Sequence, residues 1–185
     1  EFMRAFEDFQ TPFFVDHSEA ENIRGGAGTD ILKGYGSDDT IIGEDGIDAA
    51  IYGGRFADYE IAQQSDEIWL IKQLNGGSDD TDIVAGIERL QFSDQLLALD
   101  LNGNAGIVAK TLGAVFGPES VSNQTFVGIG LNFLDDGLGY EALMQVAINA
   151  ALGEDATNHS AVVDLLYENV VGVAPAAADQ AFYVD

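Results

Sequence analysis

The chain has no cysteine among its 185 residues, so it can form neither a disulfide nor a thiolate metal site. Basic residues are scarce: seven lysines and arginines stand against 32 aspartates and glutamates, a formal net charge of -25. That field repels phosphate backbones and anionic membrane surfaces and attracts cations, which sets nucleic acid aside as a partner. Simple solubility or adaptation to salt is the plainer source of such a charge. No apolar run approaches the ~20 residues that cross a bilayer, so no membrane span is expected, and no signal peptide is visible at the N-terminus. Histidine occurs only at His17 and His159, outside any H-E-x-x-H arrangement, and there is no G-x-S-x-G elbow. Zinc-protease and lipase chemistry are therefore not carried by this stretch. Acid pairs such as Asp79-Asp80 and Asp135-Asp136 are expected by chance at this acid content and are poor evidence for a glycosidase. The chain is expected not to be an enzyme.

Hydrophobic residues are plentiful, at 46%, and the length suits one compact domain or two small ones. Glycine, at 22 residues, is concentrated early. From Gly25 the sequence divides into nines: GGAGTDILK, GYGSDDTII and GEDGIDAAI. Asp30, Asp39 and Asp48 take the sixth place of each block, and Leu32, Ile41 and Ala50 the eighth. Glycine opens all three blocks, and Gly28, Ser37 and Gly46 take the fourth place. A flexible linker would not hold the acid and the apolar residue in phase. Gly26-x-Gly28 lacks the third glycine of a dinucleotide fingerprint, and no Gly-Lys-Ser/Thr phosphate loop is present. Three residues with one inward side chain make a short strand, and six glycine-rich residues make a sharp loop. Two such units complete a circuit of about eighteen residues, so each loop stacks on the next but one.

These blocks resemble the GGxGxDxUx nonapeptide of the RTX (hemolysin-type) proteins, a calcium-binding parallel β-roll family. The resemblance implies Ca2+ between stacked loops, held by carbonyls near the first to fourth positions and by the sixth-place acid. Carried over by position, the metal-site residues are Gly25, Gly26, Ala27, Gly28, Asp30, Gly34, Gly36, Asp39, Gly43, Asp45 and Asp48, together with Glu21. Loop 25–30 then shares an ion with loop 43–48 through Asp30 and Asp48. Upstream, Asp16 to Arg24 has the length of a degenerate repeat with Glu21 in sixth place; downstream, Tyr52 to Ala57 keeps glycine and loses the acid. Second-place Tyr35 and Glu44, and the small Ala50, depart from the pattern. One to three ions are expected. Calcium takes six to eight oxygens, and such loops supply only oxygen.

A roll of about two turns leaves an open edge that must be covered. Asp58–Ala62, Ile68–Ile71 and Ile87–Phe92 carry strand patterning, with a turn at Asn75-Gly76-Gly77, and are expected as antiparallel strands capping the roll. Trp69 is expected in their core. YGGRFADYEI followed by DTDIVAGIERLQFSD resembles the flank that follows RTX repeats in secreted bacterial proteins and implies that the roll ends there.

Beyond Gly103 the period changes to that of helices. Expected helices carry Leu112, Val115 and Phe116, stopped by Gly117-Pro118; Phe126 to Leu134, begun by Ser122 or Asn123; Leu143 to Ala150, ending at Gly153; and Val162 to Val170, capped near Asn158 and closed by Gly172. Pro175 suits the first turn of a fifth. Asp100-Leu-Asn102-Gly-Asn104 mimics an EF-hand opening, but Ala105 and Thr111 occupy the places of its glycine and glutamate, so a helix cap or Asx-turn is expected. His159 to Asp185 resembles the start of a helical module of unknown function near the C-terminus of type I-secreted RTX proteins, a module that ordinarily runs further.

The expected fold is thus α+β: a short right-handed parallel β-roll capped by antiparallel strands, then an all-helical bundle. Residues 1–15 read as a cloning remnant (Glu1-Phe2-Met3) and lead-in, 16–100 as the roll and cap, and 101–185 as the helical module. The expected function is a calcium-binding, calcium-folded module of a secreted, extracellular or cell-surface bacterial protein, exported by a type I secretion apparatus. The alternative is a calcium-dependent adhesin or polysaccharide-binding module, in which Tyr35, Tyr52 and Phe56 form an exposed platform for a glycan or the chain associates with itself.

Overall fold

A computed structural model describes residues 19–74, 76–77 and 79–184. The lead-in at 1–15, the start of the degenerate repeat at 16–18 with His17, and the turn residue Asn75 lie outside the described residues. The protein is mixed α+β, with nine strands in two sheets and five α-helices among the described residues. It divides into two compact units, with the boundary between Leu97 and Ala98.

In the first unit the nonapeptide period becomes strand pairing between circuits. Strands β1 (Asn22–Ala27), β2 (Ile31–Leu32), β3 (Thr40–Asp45) and β4 (Ala49–Ile51) alternate between the sheets. β1 pairs in parallel with β3, Ile23 beside Ile41, and β2 pairs in parallel with β4, Leu32 beside Ala50. The eighth-place side chains turn inward. Ile41 and Ala50 are fully buried, which is the physical reason for the fixed apolar phase.

The segment expected to cap two turns does something else. β5 (Tyr59–Ser65) and β6 (Ile68–Gln73) form an antiparallel hairpin, as expected, but β7 (Thr81–Ala85) and β8 (Arg89–Gln91) return to the parallel ladders. β7 pairs in parallel with β3, and β8 in parallel with β4. The antiparallel reading of Ile87–Phe92 is therefore corrected: these residues belong to a third circuit, and the hairpin is inserted before it. Val84 stacks on Ile41 and Leu90 on Ala50, both completely buried, so the inward columns run unbroken across the insertion. β6 closes the edge of β7, giving one mixed sheet ordered β1-β3-β7-β6-β5. The other is ordered β2-β4-β8-β9, ending in β9 (Leu96–Ala98). Half-buried Trp69 pairs with Gln63 of β5 and Val84 of β7.

The flanking motif also acquires a physical role. Tyr52, Phe56, Tyr59 and Phe92 pack together with ring centroids 5.1 to 5.6 Å apart. Arg55 pairs with Asp94 at 3.2 Å, and the Phe56 N–H donates to the same carboxylate. The Tyr59 hydroxyl donates to Asp79 at 2.5 Å and accepts from the Gly54 N–H. These contacts fasten the chain where it leaves and rejoins the circuits. They also correct the expected aromatic platform: Tyr52 is 3% exposed and Phe56 is half-buried, leaving Tyr35 as its one exposed ring.

In the second unit α1 (Asn104–Phe116), α2 (Gln124–Asp135), α3 (Tyr140–Leu152), α4 (His159–Val171) and α5 (Ala177–Val184) follow the expected order. Asn123 and Asn158 cap α2 and α4, each side-chain oxygen accepting two N–H groups of the first turn. Asp100 serves the start of α1: its carboxylate accepts the Ala105 N–H at 3.3 Å and its carbonyl the Gly103 N–H. The N-cap position itself is Gly103, so Asp100 serves the helix start from three residues before the cap and not as the expected N-cap. The fifth helix begins at Ala177, so Pro175 precedes it instead of lying in its first turn. Val108, Leu112, Leu134 and Leu143 form one core cluster and Val115, Ala147 and Ile148 another. No helix among the described residues is long and apolar enough to cross a membrane.

If the third circuit is integral, Leu90→Ala leaves a cavity in the inward column and costs about 2–5 kcal/mol. Denaturant unfolding at saturating calcium, followed by Trp69 fluorescence, measures this; a loss below about 1 kcal/mol contradicts it.

Candidate metal centre

Stacking brings the sixth-place acids into two rows. The Glu21 N–H donates to Asp39 Oδ1 at 2.8 Å, and the Asp39 N–H donates to Asp82 Oδ1 at 2.9 Å. In the other row the Asp30 N–H donates to Asp48 Oδ1 at 2.8 Å, and the Asp48 N–H donates to Glu88 Oε2 at 2.8 Å. Each carboxylate thus holds the backbone of the acid one circuit earlier. The first steps of the two rows span 18 residues, whereas the steps to Asp82 and Glu88 span 43 and 40.

Loop 25–30 lies on loop 43–48: the Gly28 N–H donates to the Asp45 carbonyl at 2.7 Å, and the Ala49 N–H to the Asp30 carbonyl at 2.9 Å. Gly26 and Ala27 pair with Glu44 and Asp45 at the ends of β1 and β3. Loop 34–39 is served on both sides, the Thr40 N–H donating to the Glu21 carbonyl and the Thr81 N–H to Asp38. Gly36 lies in the bend between β2 and β3.

First-place glycine is required by close approach. A methyl group on Gly25 would meet Asp30 Oδ2 and the Gly43 carbonyl oxygen, each at 2.7 Å. On Gly43 it would meet Asp48 Oδ2 at 2.5 Å and collide with the Gly86 carbonyl oxygen. On Gly34 it would collide with Asp39 Oδ2. The fourth place takes a left-handed conformation in all three blocks, at Gly28, Ser37 and Gly46. Tyr35 and Glu44 are left-handed as well, at φ 73° and 76°, which strains a residue bearing a Cβ.

Asp82 and Glu88 were missed by sequence reasoning, although a signal existed. Gly77 to Ala85, GSDDTDIVA, has glycine first, Asp82 sixth and Val84 eighth, and Asp80 in fourth place takes φ 32°. It escaped notice because the insertion displaces it from the count of nine.

These rows are electrostatically costly without a cation. Asp39, Asp48 and Asp82 are all buried. Burial pushes the Asp82 carboxyl up to about 7, with the Asp39 and Asp79 charges adding to the rise and the Asp39 N–H and Tyr52 phenol opposing it. Burial raises Asp48 too, reinforced by Asp30 and opposed by the Asp30 N–H.

The donor set fits calcium. Asp48 Oδ2 is buried and accepts no hydrogen bond among the described residues, and it lies 2.5 Å from where a methyl group on Gly43 would sit. Among the described residues no three acidic, histidine or cysteine side chains form a metal-binding group, so backbone carbonyls must supply the balance of any coordination sphere. An all-oxygen set of carbonyls and carboxylates is what a hard cation takes.

Comparison with known families agrees with this geometry over part of the chain. The family model of the RTX calcium-binding nonapeptide repeat (4 copies) matches residues 18–49. No curated protein matches the chain.

The raised carboxyls fix a sign for pH. In the unfolded chain an aspartate titrates near 3.8, so metal-free folded protein holds its Asp82 proton more tightly. The stability this contributes is complete below the unfolded value and is lost as pH rises through about 7. In excess EDTA the first unit is expected to retain more β signal by circular dichroism at pH 5 than at pH 8, where Asp82 is charged, with Asp82→Asn reducing the difference. Equal signals at both pH values contradict this.

Proposed function

We propose that this chain is a calcium-binding module whose repeat-bearing unit folds when calcium arrives, as part of a secreted RTX protein. In this reading the two parallel ladders are a right-handed β-roll. Asp30 and Asp48 supply side-chain oxygens, and Gly25, Gly26, Ala27, Gly28, Gly43 and Asp45 supply backbone oxygens. Glu21, Gly34, Gly36 and Asp39 serve the opposite row. The observation that carries the proposal is the row of stacked acids in which the buried Asp48 Oδ2 accepts no hydrogen bond among the described residues.

Function follows from the charge. Crowded carboxylates repel one another without metal and keep the chain loose enough for a narrow export channel such as a type I apparatus; calcium outside the cell neutralises them, and binding becomes folding free energy. Extracellular calcium modules work at dissociation constants of about 10⁻⁴–10⁻³ M. At 100-fold excess over that constant, one ion adds about 2.7 kcal/mol, a large share of a small domain's stability. The glycan-binding alternative is weakened, since of Tyr35, Tyr52 and Phe56 only Tyr35 is exposed.

Circular dichroism through a calcium titration, with magnesium as control, tests the proposal. The expected result is a gain of β signal with calcium alone and a midpoint raised about tenfold or more by Asp30→Ala. Full structure in excess EDTA, unaffected by that substitution, contradicts it.

A further inference from the structure

In a chain of net charge -25, the stretches Ser120–Leu134 and Ala142–Gly153 carry no charged residue. They supply most of α2 and α3, which with α1 surround a cavity of about 230 Å³ inside the second unit. Its floor, at Val108, Leu112 and Leu143, is buried. Its rim is open: Phe126, Ile129, Phe133 and Val146 are 38 to 49% exposed. Among the described residues no charged side chain lines it, and Thr111 is the one polar side chain that does. Thr111 is 1% exposed, and its hydroxyl has no hydrogen-bond partner among the described residues. A helical threonine can satisfy its hydroxyl on a carbonyl one turn back, and this one does not. An unmet hydroxyl in an apolar wall is costly, whereas valine would occupy much the same space without it. Loose packing therefore accounts for the gap but not for the threonine.

We propose that this cavity binds a neutral, largely apolar small molecule carrying one hydroxyl or carbonyl oxygen. The Thr111 hydroxyl both donates and accepts, so it pairs with either group. A carboxylate or ammonium entering the cavity would lose its hydration and find no counter-charge in the wall. Size follows from the volume: an apolar cavity of about 150 Å³ holds benzene, so one of about 230 Å³ has room for about nine non-hydrogen atoms. The rings of Phe116 and Phe126, 5.3 Å apart, give the wall an aromatic face. An occupant would also take the exposed rim out of water, which is the main source of affinity at such a site. All the lining residues belong to the second unit, so the site stands apart from the calcium reading of the first.

Titration calorimetry on the full chain at saturating calcium, with para-ethylphenol as the probe, tests the proposal. Propylbenzene is the control of similar size without the oxygen, and para-toluate the control with a charge. One saturable site for the phenol is expected, with para-toluate about tenfold weaker or more. Thr111→Val is expected to weaken the phenol about fivefold and to leave propylbenzene unchanged. That variant removes an unmet hydroxyl, so its fold is expected to persist. Ala150→Phe, at an exposed position on the rim, is expected to close the mouth and abolish binding of both. Absence of saturable phenol binding overturns the proposal, as does a Thr111→Val variant that binds the phenol as tightly as the unaltered protein. Sedimentation distinguishes the other occupant: a dimer that Ala150→Phe dissociates, with no phenol bound, overturns the small-molecule site and assigns the rim to a second copy of this chain.

Discussion

The first unit depends on a backbone N–H held by the carboxylate of the next circuit. Glu21, Asp30, Asp39 and Asp48 each donate in this way, and Asp39, Asp48, Asp82 and Glu88 accept. A hydrogen bond to an ionised acceptor is stronger than one between neutral groups, and it fixes the orientation of the carboxylate. The same bond requires an acid to be buried beside another acid, which burial and mutual repulsion oppose. A divalent cation would remove that conflict without disturbing the hydrogen bonds, because each carboxylate has a second oxygen. The fold and the candidate site are therefore one arrangement.

Much of the rest follows from making room for it. First-place glycine exists because the sixth-place acid turns back onto its own loop, as the close approach of Asp48 Oδ2 to Gly43 shows. The eighth-place residue is apolar because it faces the stacked column of Ile41, Val84, Ala50 and Leu90. Ala50 departs from the large apolar type, and its neighbour Leu90 brings the bulk to that column. Tyr35 and Glu44 are strained exceptions; the Arg24 guanidinium meets Glu44 at 3.1 Å, an exposed pair of small energetic weight.

The sequence made the matched circuits readable because their acids and apolar residues recur at a constant interval. Asp30 over Asp48 and Glu21 in line with Asp39 could both be placed by counting. The third circuit was not readable that way: an inserted hairpin shifts the count, so Asp82 and Glu88 fall out of phase while their contacts remain. Strand alternation in Ile87 to Phe92 revealed a strand but not its direction, since parallel and antiparallel pairing share the same side-chain period. The burial of Tyr52 was equally hidden, because its packing partners Tyr59 and Phe92 come from different ends of the insertion. Helix boundaries fared better, since Asn123, Asn158 and the closing glycines act locally on neighbouring backbone.

Amide hydrogen exchange, resolved by residue with and without calcium, tests the central claim most directly. The amides of Glu21, Asp30, Asp39 and Asp48 are predicted to exchange slowly when calcium is present and to lose that protection together in EDTA, while amides of α1 and α3 provide the internal comparison. Equal protection of those four amides in both conditions would contradict the account, because the carboxylate rows would then be ordered without the cation.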